Sequence, residues 1–564
     1  MTVSEQGRPA STIPARFPLQ GWLAAFVAHP GLWAALLIGL ALKAALLLSG
    51  RLTFGSDEAI LALMARHILR GARPIFYYGQ SYMGALDAYL IALSFLLFGQ
   101  TVLAVRLVQV TLYAGVLITT YLLAHRLSGD RLASTLSALF IALPPVFFSL
   151  YTTSTLGDYV EILLLNNLLF LIGWDILEGR KSAAGWWLLA GLLGGLGWWS
   201  LPLIVVSLAP LTVRGVLTFR RRMPWGKVGL LVLGFLVGAS PWLGAVLSGG
   251  GGEVVGFLLR GPADPGLAGD ALAALGARLA SLVLFNLPAL FGLRPPWAVT
   301  WIALPVGLLL VPFYFLVVWQ AARQATSGDV PAFRRAALGT LLMGGGLLLA
   351  IFVLSPFGVD PSGRYLLPLY PLLALFAGDW LGRAWRGSRS RLNRLVLAGL
   401  VALCLGYNLW GNIHAAADPY GLTTQFNPIT HIPNDHDDDL IAFLDSIGVD
   451  RGYANYWVAY RLAFLTGERI ILVPRLPYKL DMSYSPADDR YPPYDEAVRQ
   501  AERIVYVTSN HPDLDSRLGQ RFERLGITYR RRSIGPYTVF YDLSRPVTPD
   551  ELGAFGEVIG EDTP

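Results

Sequence analysis

Four charged residues lie at the edges of long apolar stretches of the sequence: Asp57, Asp158, Glu161 and Arg364. A carboxylate in such a place can act as a general base and take the proton of an acceptor hydroxyl. A guanidinium group suits phosphate, which it binds through two parallel hydrogen bonds. These four residues are therefore the first candidates for chemistry.

Asp57 and Glu58 open the stretch 54–99, which follows the first apolar span. Apolar residues then recur every four positions, so we expect a short amphipathic helix with Ser56 at its N-cap and Arg70 at its end. In this position Asp57 could serve as the base. The alternative is that both acids only complement the positive end of the helix.

A loop rich in Pro, Gly and Tyr runs from this helix to Gly84. The apolar run after it, 85–99, is too short to cross a bilayer, so we expect it to lie flat in the outer interface. Aromatic rings and amides suit sugar rings, although tyrosine is also a common membrane-interface anchor. The candidates for substrate contact in this loop lie in the cluster Tyr77, Tyr78, Gln80 and Tyr82.

Asp158 follows a Thr/Ser-rich turn at the outer start of an apolar span. Together with Asp57 it could share acid–base duties, hold an acceptor or bind a divalent cation. The alternative is a helix-capping acid. Glu161 lies one turn inside the apolar run, where an ionisable group is costly and therefore a functional candidate. We expect Glu161, like Glu58, to contact the substrate.

Arg364 lies in the segment 355–371 and is nearly the only cation of the short outside loops. A donor phosphate is one partner for it. The alternative is a snorkelling residue that pairs with lipid headgroups or with Asp360.

The composition predicts an integral membrane protein. Of 564 residues, 54% are hydrophobic and 15% are charged, whereas soluble proteins carry about 25% charged residues. The single cysteine, Cys404, excludes a disulfide or a cysteine metal cluster within one chain. The net charge of +6 does not indicate nucleic acid, because the basic residues stand in short loops and report topology.

Eleven stretches are close to the length of about 20 residues that a bilayer core requires. They are 31–50, 101–124, 132–150, 159–177, 184–199, 200–216, 228–247, 298–319, 335–354, 365–381 and 395–411. With the N-terminus inside, the loops rich in Arg and Lys all fall on the inside, provided that 85–99 and 271–293 lie in the outer interface. We therefore expect about eleven transmembrane helices and an outside C-terminus.

After Trp410 the sequence becomes polar. Short β-type runs alternate with helical stretches, which predicts a small α/β domain on the outer face. The acidic run 435–439, with His431 and His436, has no spacing typical of metal ligands, so we expect a solvated loop before a helix. The expected division is 1–30, a cytoplasmic segment; 31–411, the catalytic membrane domain with its external loop 51–100; 412–545, the outer domain; and 546–564, a tail.

Several short motifs occur together along the first two-thirds of the chain. They are the external Asp57-Glu58 pair, Gly-x-x-Pro at 71–74, YGQSYMG at 78–84, Phe98-Gly99, Arg106-Leu107, the acid Asp158 and RYLLPLYP at 364–371. This set resembles the GT-C membrane glycosyltransferases of the family-39 type. That group comprises protein O-mannosyltransferases, aminoarabinose transferases and RgtA/B/C/D-like enzymes.

The resemblance implies a polyprenyl-phosphate-linked sugar donor, a reaction on the outer face of the cytoplasmic membrane, and inversion at the anomeric carbon. It implies that Asp57 is the base, Asp158 the second external acid, and Arg364, beside Tyr365, the partner of the donor phosphate. Glu58 completes the acidic motif. The acceptor would be a glycan, a lipid or a protein, and no cofactor is required other than, in one alternative, a divalent cation.

A different class of function also fits the residues: a transporter or flippase of lipid-linked sugars, with the acids as proton or substrate sites. Transporter sites lie near the bilayer midplane on broken helices, whereas Asp57, Asp158 and Arg364 are expected at the outer boundary. A third alternative is a non-catalytic membrane scaffold, in which Asp57→Asn would be silent.

Overall fold

The computed structural model describes residues 29–252, 256, 271–425 and 429–553. The predicted segment 1–30 and the end of the predicted tail 546–564 lie largely outside this range. The helices before the polar region are α1 (Pro30–Leu48), α2 (Ser56–Leu69), α3 (Leu86–Phe98), α4 (Val102–Ser128), α5 (Arg131–Ala142), α6 (Val146–Tyr151), α7 (Tyr159–Leu177), α8 (Ala184–Ser200), α9 (Val205–Phe219), α10 (Trp225–Gly238), α11 (Ser240–Ala245), α12 (Ala271–Ser281), α13 (Leu287–Leu290), α14 (Leu304–Gly307), α15 (Leu310–Thr326), α16 (Ala332–Leu354), α17 (Leu369–Gly387) and α18 (Arg391–Ala417).

Within the part of the chain that is described, eight helical stretches are long and apolar enough to cross a membrane. A ninth is counted if Trp225–Gly238 and Ser240–Gly250, which meet at 67°, form one broken span. The eight are Pro30–Leu48, Val102–Ser128, Tyr159–Leu177, Pro202–Phe219, Ala271–Leu290, Leu304–Thr326, Ala332–Leu354 and Arg391–Ala417. The chain is therefore a polytopic helical membrane protein.

These eight or nine candidate spans in the described residues are fewer than the roughly eleven transmembrane helices that we expected. The run 132–150 is broken into a 12-residue helix and a 6-residue helix, and α8 has only 17 residues. Helix α17 carries Asp379, Arg383 and Arg386. In contrast, Ala271–Leu290 has the length and hydropathy of a span, although we expected this region to lie in the interface.

The external loop after α1 is more ordered than the sequence suggested. Ser56 is the first residue of α2 and Gly55 takes the N-cap position, so the predicted N-cap was wrong. The Ser56 hydroxyl instead donates to the backbone carbonyl of Tyr456 at 2.5 Å. Between α2 and α3 the chain forms a hairpin of β1 (Phe76–Tyr77) and β2 (Gln80–Gly84), with Gly79 at φ +71° in its turn.

Helix α2 is buried along nearly its whole length. It packs against α3 on one side and against a helix of the C-terminal region, α20 (Tyr456–Leu465), on another. The C-terminal region therefore covers α2.

The polar C-terminal region folds around a five-stranded mixed sheet. Its strands are β3 (Arg451–Ala454), β4 (Ile471–Pro474), β5 (Val505–Ser509), β6 (Arg530–Ile534) and β7 (Tyr537–Tyr541), in the order β4-β3-β5-β7-β6. The pairs β3–β4 and β3–β5 are parallel, and β5–β7 and β6–β7 are antiparallel. Its helices are α19 (Asp437–Ile447), α20 (Tyr456–Leu465), α21 (Pro493–Arg499) and α22 (Pro512–Arg524).

The sheet contains two strands that the sequence did not indicate. Strand β3 is short, and its sequence, Arg-Gly-Tyr-Ala, has no β-branched residue. Strand β6 is an exposed edge strand that begins with three arginines. Charged side chains commonly protect sheet edges. Here they also remove the alternation of apolar and polar residues from which a strand is predicted.

Candidate active site

Asp57 lies in the first turn of α2, and its carboxylate meets the C-terminal region. The Tyr456 hydroxyl donates to Asp57 Oδ1 at 2.5 Å, and the Tyr77 hydroxyl donates to the Asp57 backbone carbonyl at 3.2 Å. Burial and then the nearby Asp57 carboxylate raise the pKa of Tyr456 well above its ordinary value. Tyr456 therefore keeps its proton and acts as the donor.

Arg490 approaches the same corner from the C-terminal region. Its Nη1 donates to the carbonyl of Gly79 at 3.0 Å, and its guanidinium carbon lies 5.6 Å from the centre of the Tyr456 ring. With its amide oxygen turned toward the arginine, Gln80 accepts hydrogen bonds from Nη1 and Nη2 at 3.1 and 3.0 Å. A cation therefore stands beside the Asp57 carboxylate.

Glu58, the second acid of the pair, is committed to an ion pair. Arg106 donates to both of its carboxylate oxygens, at 3.1 and 3.0 Å, and also to the carbonyl of Leu52. The Glu58 residue is only 3% exposed. This pair ties the first turn of α2 to α4 and leaves no free carboxylate oxygen for a substrate.

Asp158 is fully buried at the N-terminal end of α7. Its Oδ1 accepts the backbone N–H of Asp87 at 2.8 Å, so it caps the first turn of α3 rather than its own helix. Burial, followed by repulsion from Asp87, raises the pKa of Asp158 well above its ordinary value.

Asp87 joins Asp158 in a buried acidic cluster that the sequence did not single out. Asp87 accepts hydrogen bonds from Gln109 at 2.9 Å and from Thr155. Burial raises the pKa of Asp87 to about 7. Glu161, one turn into α7, is also buried and faces both of these carboxyl groups.

Arg364 forms an ion pair with Asp360 at 2.7 Å. Asp360 is the partner that we expected if Arg364 did not bind the donor phosphate. The Arg364 Nη2 also contacts the Tyr365 hydroxyl at 3.3 Å. Its Nε is buried and has no hydrogen-bond partner among the residues that the structure describes, whereas the side chain as a whole is 22% exposed. The guanidinium group therefore has one donor that is not used within the described chain.

Tyrosines surround this arginine. The Tyr82 and Tyr365 hydroxyls lie 3.5 Å apart, and the Tyr159 and Tyr365 rings are 6.3 Å apart. Tyr82 is within electrostatic reach of both Arg364 and Arg490. It lies between the two cationic groups and links the Asp57 corner to the Arg364 loop.

Tyr78 points away from this corner, into the contact with the C-terminal region. Its hydroxyl lies 3.1 Å from His67 Nδ1, and its ring stacks on Tyr491 at 5.0 Å. His67 Nε2 contacts Glu468 at 2.8 Å. Burial would raise the pKa of Glu468, but hydrogen bonds from His67 and Tyr494 outweigh it and lower the pKa to about 2.

Among the residues described, no group of three His, Cys, Asp or Glu side chains has an arrangement that could hold a metal ion. His431 contacts the carbonyl of Gln425 at 2.8 Å, and His436 contacts Asp439 at 3.2 Å. Asp437, Asp438 and Asp439 form the first turn of α19, and Asp437 is buried in an ion pair with Arg461 at 2.8 Å. The expected solvated loop was therefore wrong for these three residues.

The sequence missed the residues that the C-terminal region brings to the site. Tyr456 and Arg490 lie about 400 positions from Asp57 in the sequence, so no local pattern connects them. The only available signal was the density of Tyr and Arg in the segments 453–461 and 484–494.

Residues 84–244 match the sequence profile of the family described as dolichyl-phosphate-mannose-protein mannosyltransferase. The fold is similar to that of ArnT from Cupriavidus metallidurans in the apo state, with a TM-score of 0.56 at 14% identity over 92% of this chain and 98% of that one. These two matches agree with each other. In residues 84–244 and in its fold, the chain is similar to GT-C membrane glycosyltransferases.

Two further structures extend the comparison. ArnT bound to undecaprenyl phosphate aligns with a TM-score of 0.53 at 14% identity, over 93% of this chain and 99% of that one. The archaeal oligosaccharyltransferase AglB from Archaeoglobus fulgidus, in complex with an inhibitory peptide and a dolichol-phosphate, aligns at 0.50 with 14% identity, over 92% and 75%. Comparison with curated protein sequences gives no match.

These findings confirm the resemblance to GT-C enzymes, the multi-pass membrane location and the predicted enzyme class, a glycosyltransferase of the type that uses polyprenyl-phosphate-linked sugars. They give no support to the flippase alternative. The roles of the individual residues stay predictions.

Proposed function

We propose that this chain is a GT-C enzyme that transfers a sugar from a polyprenyl-phosphate donor to an acceptor hydroxyl on the outer face of the cytoplasmic membrane, with inversion. One observation carries the proposal: the Asp57 carboxylate already accepts a hydrogen bond from a hydroxyl, that of Tyr456, at 2.5 Å. A side chain held this way is suited to accept the same bond from an acceptor, within the reach that general-base catalysis needs.

In the proposed reaction the acceptor hydroxyl replaces Tyr456 on Asp57 and passes its proton to the carboxylate. The acceptor oxygen forms a bond to the anomeric carbon from one face of the sugar. The bond between that carbon and the phosphate oxygen breaks on the opposite face, and the polyprenyl phosphate leaves with the electron pair. Because attack and departure use opposite faces, the configuration inverts.

The leaving phosphate needs a cation to stabilise its charge. Arg364 is our candidate, because its Nε has no hydrogen-bond partner in the described part of the chain and its side chain is partly exposed. Tyr82 and Tyr365 would then orient the phosphate or the sugar from beside it. A lipid phosphate as ligand agrees with two of the similar structures, ArnT bound to undecaprenyl phosphate and AglB in complex with a dolichol-phosphate.

For the remaining candidates we propose positioning rather than substrate contact. Glu58 holds α2 through Arg106, Asp158 holds α3, and Tyr78 and Gln80 fasten the hairpin to the C-terminal region. The predicted acid–base share of Asp158 is not favoured by its complete burial. The substrate contact predicted for Glu161 stays a prediction.

We also propose the membrane orientation and the domain boundaries that were expected from the sequence. The N-terminal segment 1–30 lies inside, the membrane domain 31–411 carries the catalytic loop 51–100, and the domain 412–545 covers that loop from outside, followed by the tail 546–564. The acceptor is a glycan, a lipid or a protein. A divalent cation is not part of the proposed mechanism.

The first experiment is sugar transfer in membranes that contain the full chain, with polyprenyl-phosphate sugars as donors. We expect Asp57→Asn to lower transfer by a factor of about 10²–10⁴, the usual contribution of a general base. The control is Asp438→Asn, the same change at an exposed residue of α19. Wild-type transfer that persists in Asp57→Asn at equal expression would exclude Asp57 as the base.

A further inference from the structure

A cavity of about 350 Å³ lies on the opposite side of the membrane domain from Asp57. It is formed where the C-terminal half of α9 faces the N-terminal half of α16. Its volume falls in the range of about 300–1,000 Å³ that is common for small-molecule sites. The proposed transfer reaction does not use it.

The cavity lies next to the point at which α9 and α16 cross. Pro210 lies inside α9 and has no N–H to donate to the carbonyl of Val206, four residues earlier. At this point Gly344 of α16 packs so closely that an added Cβ would lie 2.3 Å from the Val206 oxygen. The helices touch at this crossing, and the cavity lies beyond it.

The chain path shows which side of the membrane this is. Ser200, at the end of α8, lies against Gly84 of the catalytic hairpin, and α9 runs away from there to Phe219. Helix α16 runs the other way and ends at Leu354, just before the Arg364 loop. The end of α9 and the start of α16 therefore lie together at the far face.

Two guanidinium groups line the cavity, those of Arg214 and Arg335. For Arg214 no hydrogen bond or ion pair is found within the ranges that the structure describes. Among the described residues, Arg335 donates to two carbonyls, of Ser327 and Gly328, at 3.3 and 3.5 Å. The lining includes no carboxylate, so the cavity is suited to an anion.

The rest of the lining is apolar and open to the surroundings of the helices. Val213, Leu217 and Met343 are 42%, 55% and 45% exposed. Val213 and Leu217 are four residues apart and therefore lie on one face of α9. A ligand that satisfies both parts has an anionic group beside hydrocarbon chains.

We propose that this cavity binds an anionic phospholipid of the leaflet opposite the catalytic loop. The phosphate lies between Arg214 and Arg335, and an acyl chain runs along Val213, Leu217 and Met343. Basic recesses between transmembrane helices are suited to such headgroups. The inference does not depend on the proposed transfer reaction, and its test uses binding only.

The test is native mass spectrometry of the purified full chain with added phosphatidylglycerol or phosphatidylcholine. We expect the wild type to retain phosphatidylglycerol preferentially. Arg214→Gln should weaken that binding about fivefold, the effect of about 1 kcal/mol per arginine near an anionic headgroup. Arg389→Gln is the matched control, because Arg389 is exposed on the same side and does not line the cavity.

A second variant fills the cavity without changing charge. Gly339 lines it, and a Cβ added there meets no atom within 4 Å, so Gly339→Leu should fold and exclude the lipid. Gly346→Leu, an equally open position of the same helix outside the cavity, should bind as the wild type does. Equal retention of both lipids by the wild type, or unchanged binding in Gly339→Leu, would overturn the proposal, as would displacement of the lipid by inorganic phosphate alone.

Discussion

At the scale of single residues, the contact between Tyr456 and Asp57 must break before the proposed reaction can begin. The tyrosine hydroxyl holds the oxygen that the proposed acceptor must reach. Hydrogen bonds to charged groups contribute about 1.5–3 kcal/mol. Part of the binding free energy of the acceptor is therefore used to displace the tyrosine.

Tyr456→Phe removes this competing donor and keeps the ring. We expect the acceptor KM to fall about tenfold, which corresponds to about 1.4 kcal/mol, while kcat changes little. Initial rates over a range of acceptor concentrations measure both constants, with the exposed Tyr420→Phe as control. A lower kcat at unchanged KM would instead mean that Tyr456 positions Asp57.

The sequence was sufficient to select Asp57 and Arg364 as candidates, because each stands at the boundary of an apolar stretch. Their roles stay predictions. The sequence could not assign Glu58 or Asp158, whose partners are Arg106 and a backbone N–H. Those contacts depend on how α2, α3, α4 and α7 pack. Spacing along one helix carries no information about them.

At the scale of secondary-structure elements, a carboxylate at the start of α7 caps the start of α3. The cap brings the Asp158 and Asp87 carboxyl groups together away from solvent, with Glu161 beside them. Two charged carboxylates in such a place repel each other. The junction of α3 and α7 is therefore most stable when Asp87 keeps its proton.

This arrangement gives the stability a defined pH dependence. The pKa of Asp87 is about 7 in the folded chain and 3.8 ordinarily, so between pH 4 and 7 the folded state holds a proton that the unfolded state has lost. The contribution of Asp87 to stability must then fall as the pH rises through this window.

We expect the difference in Tm between the wild type and Asp87→Asn to decrease as the pH rises from 4 to 7 and then to level off. Thermal unfolding in detergent at several pH values measures it. Asp438→Asn, at an exposed site, should give a constant difference. A wild-type advantage that grows with pH would show that Asp87 is ionised in the folded chain.

At the scale of the whole molecule, composition was enough to predict a multi-pass membrane protein, and the alternation of short β-type runs with helices predicted its C-terminal α/β domain. The outer position of that domain stays a prediction. The number of spans was less secure, because length and hydropathy cannot separate a true span from the buried, charged helix α17 or the broken run 132–150. What the sequence missed entirely is that the C-terminal domain contributes side chains to the site.

The C-terminal domain contacts the catalytic loop at separate points, which include Glu468 with His67 and Arg490 with Gly79. We expect Arg490→Gln to loosen the hairpin 76–84 and raise its amide hydrogen exchange about tenfold, since hydrogen bonds from a charged donor are worth about 1.5–3 kcal/mol. Arg503→Gln, on the surface of the same domain, is the control. Unchanged exchange would mean that the hairpin is held without Arg490.

The hydrogen bond from Ser56 to Tyr456 joins residues that are 400 positions apart. The ribosome adds about 5–20 residues per second, so α2 waits roughly 20–80 seconds for the helix that will bury it. During that interval the early spans are already in the membrane, but the site is unfinished. A nascent chain that stops before Tyr456 therefore leaves α2 without the helix that buries it, and the fold of the loop 51–100 is completed only when synthesis is nearly over.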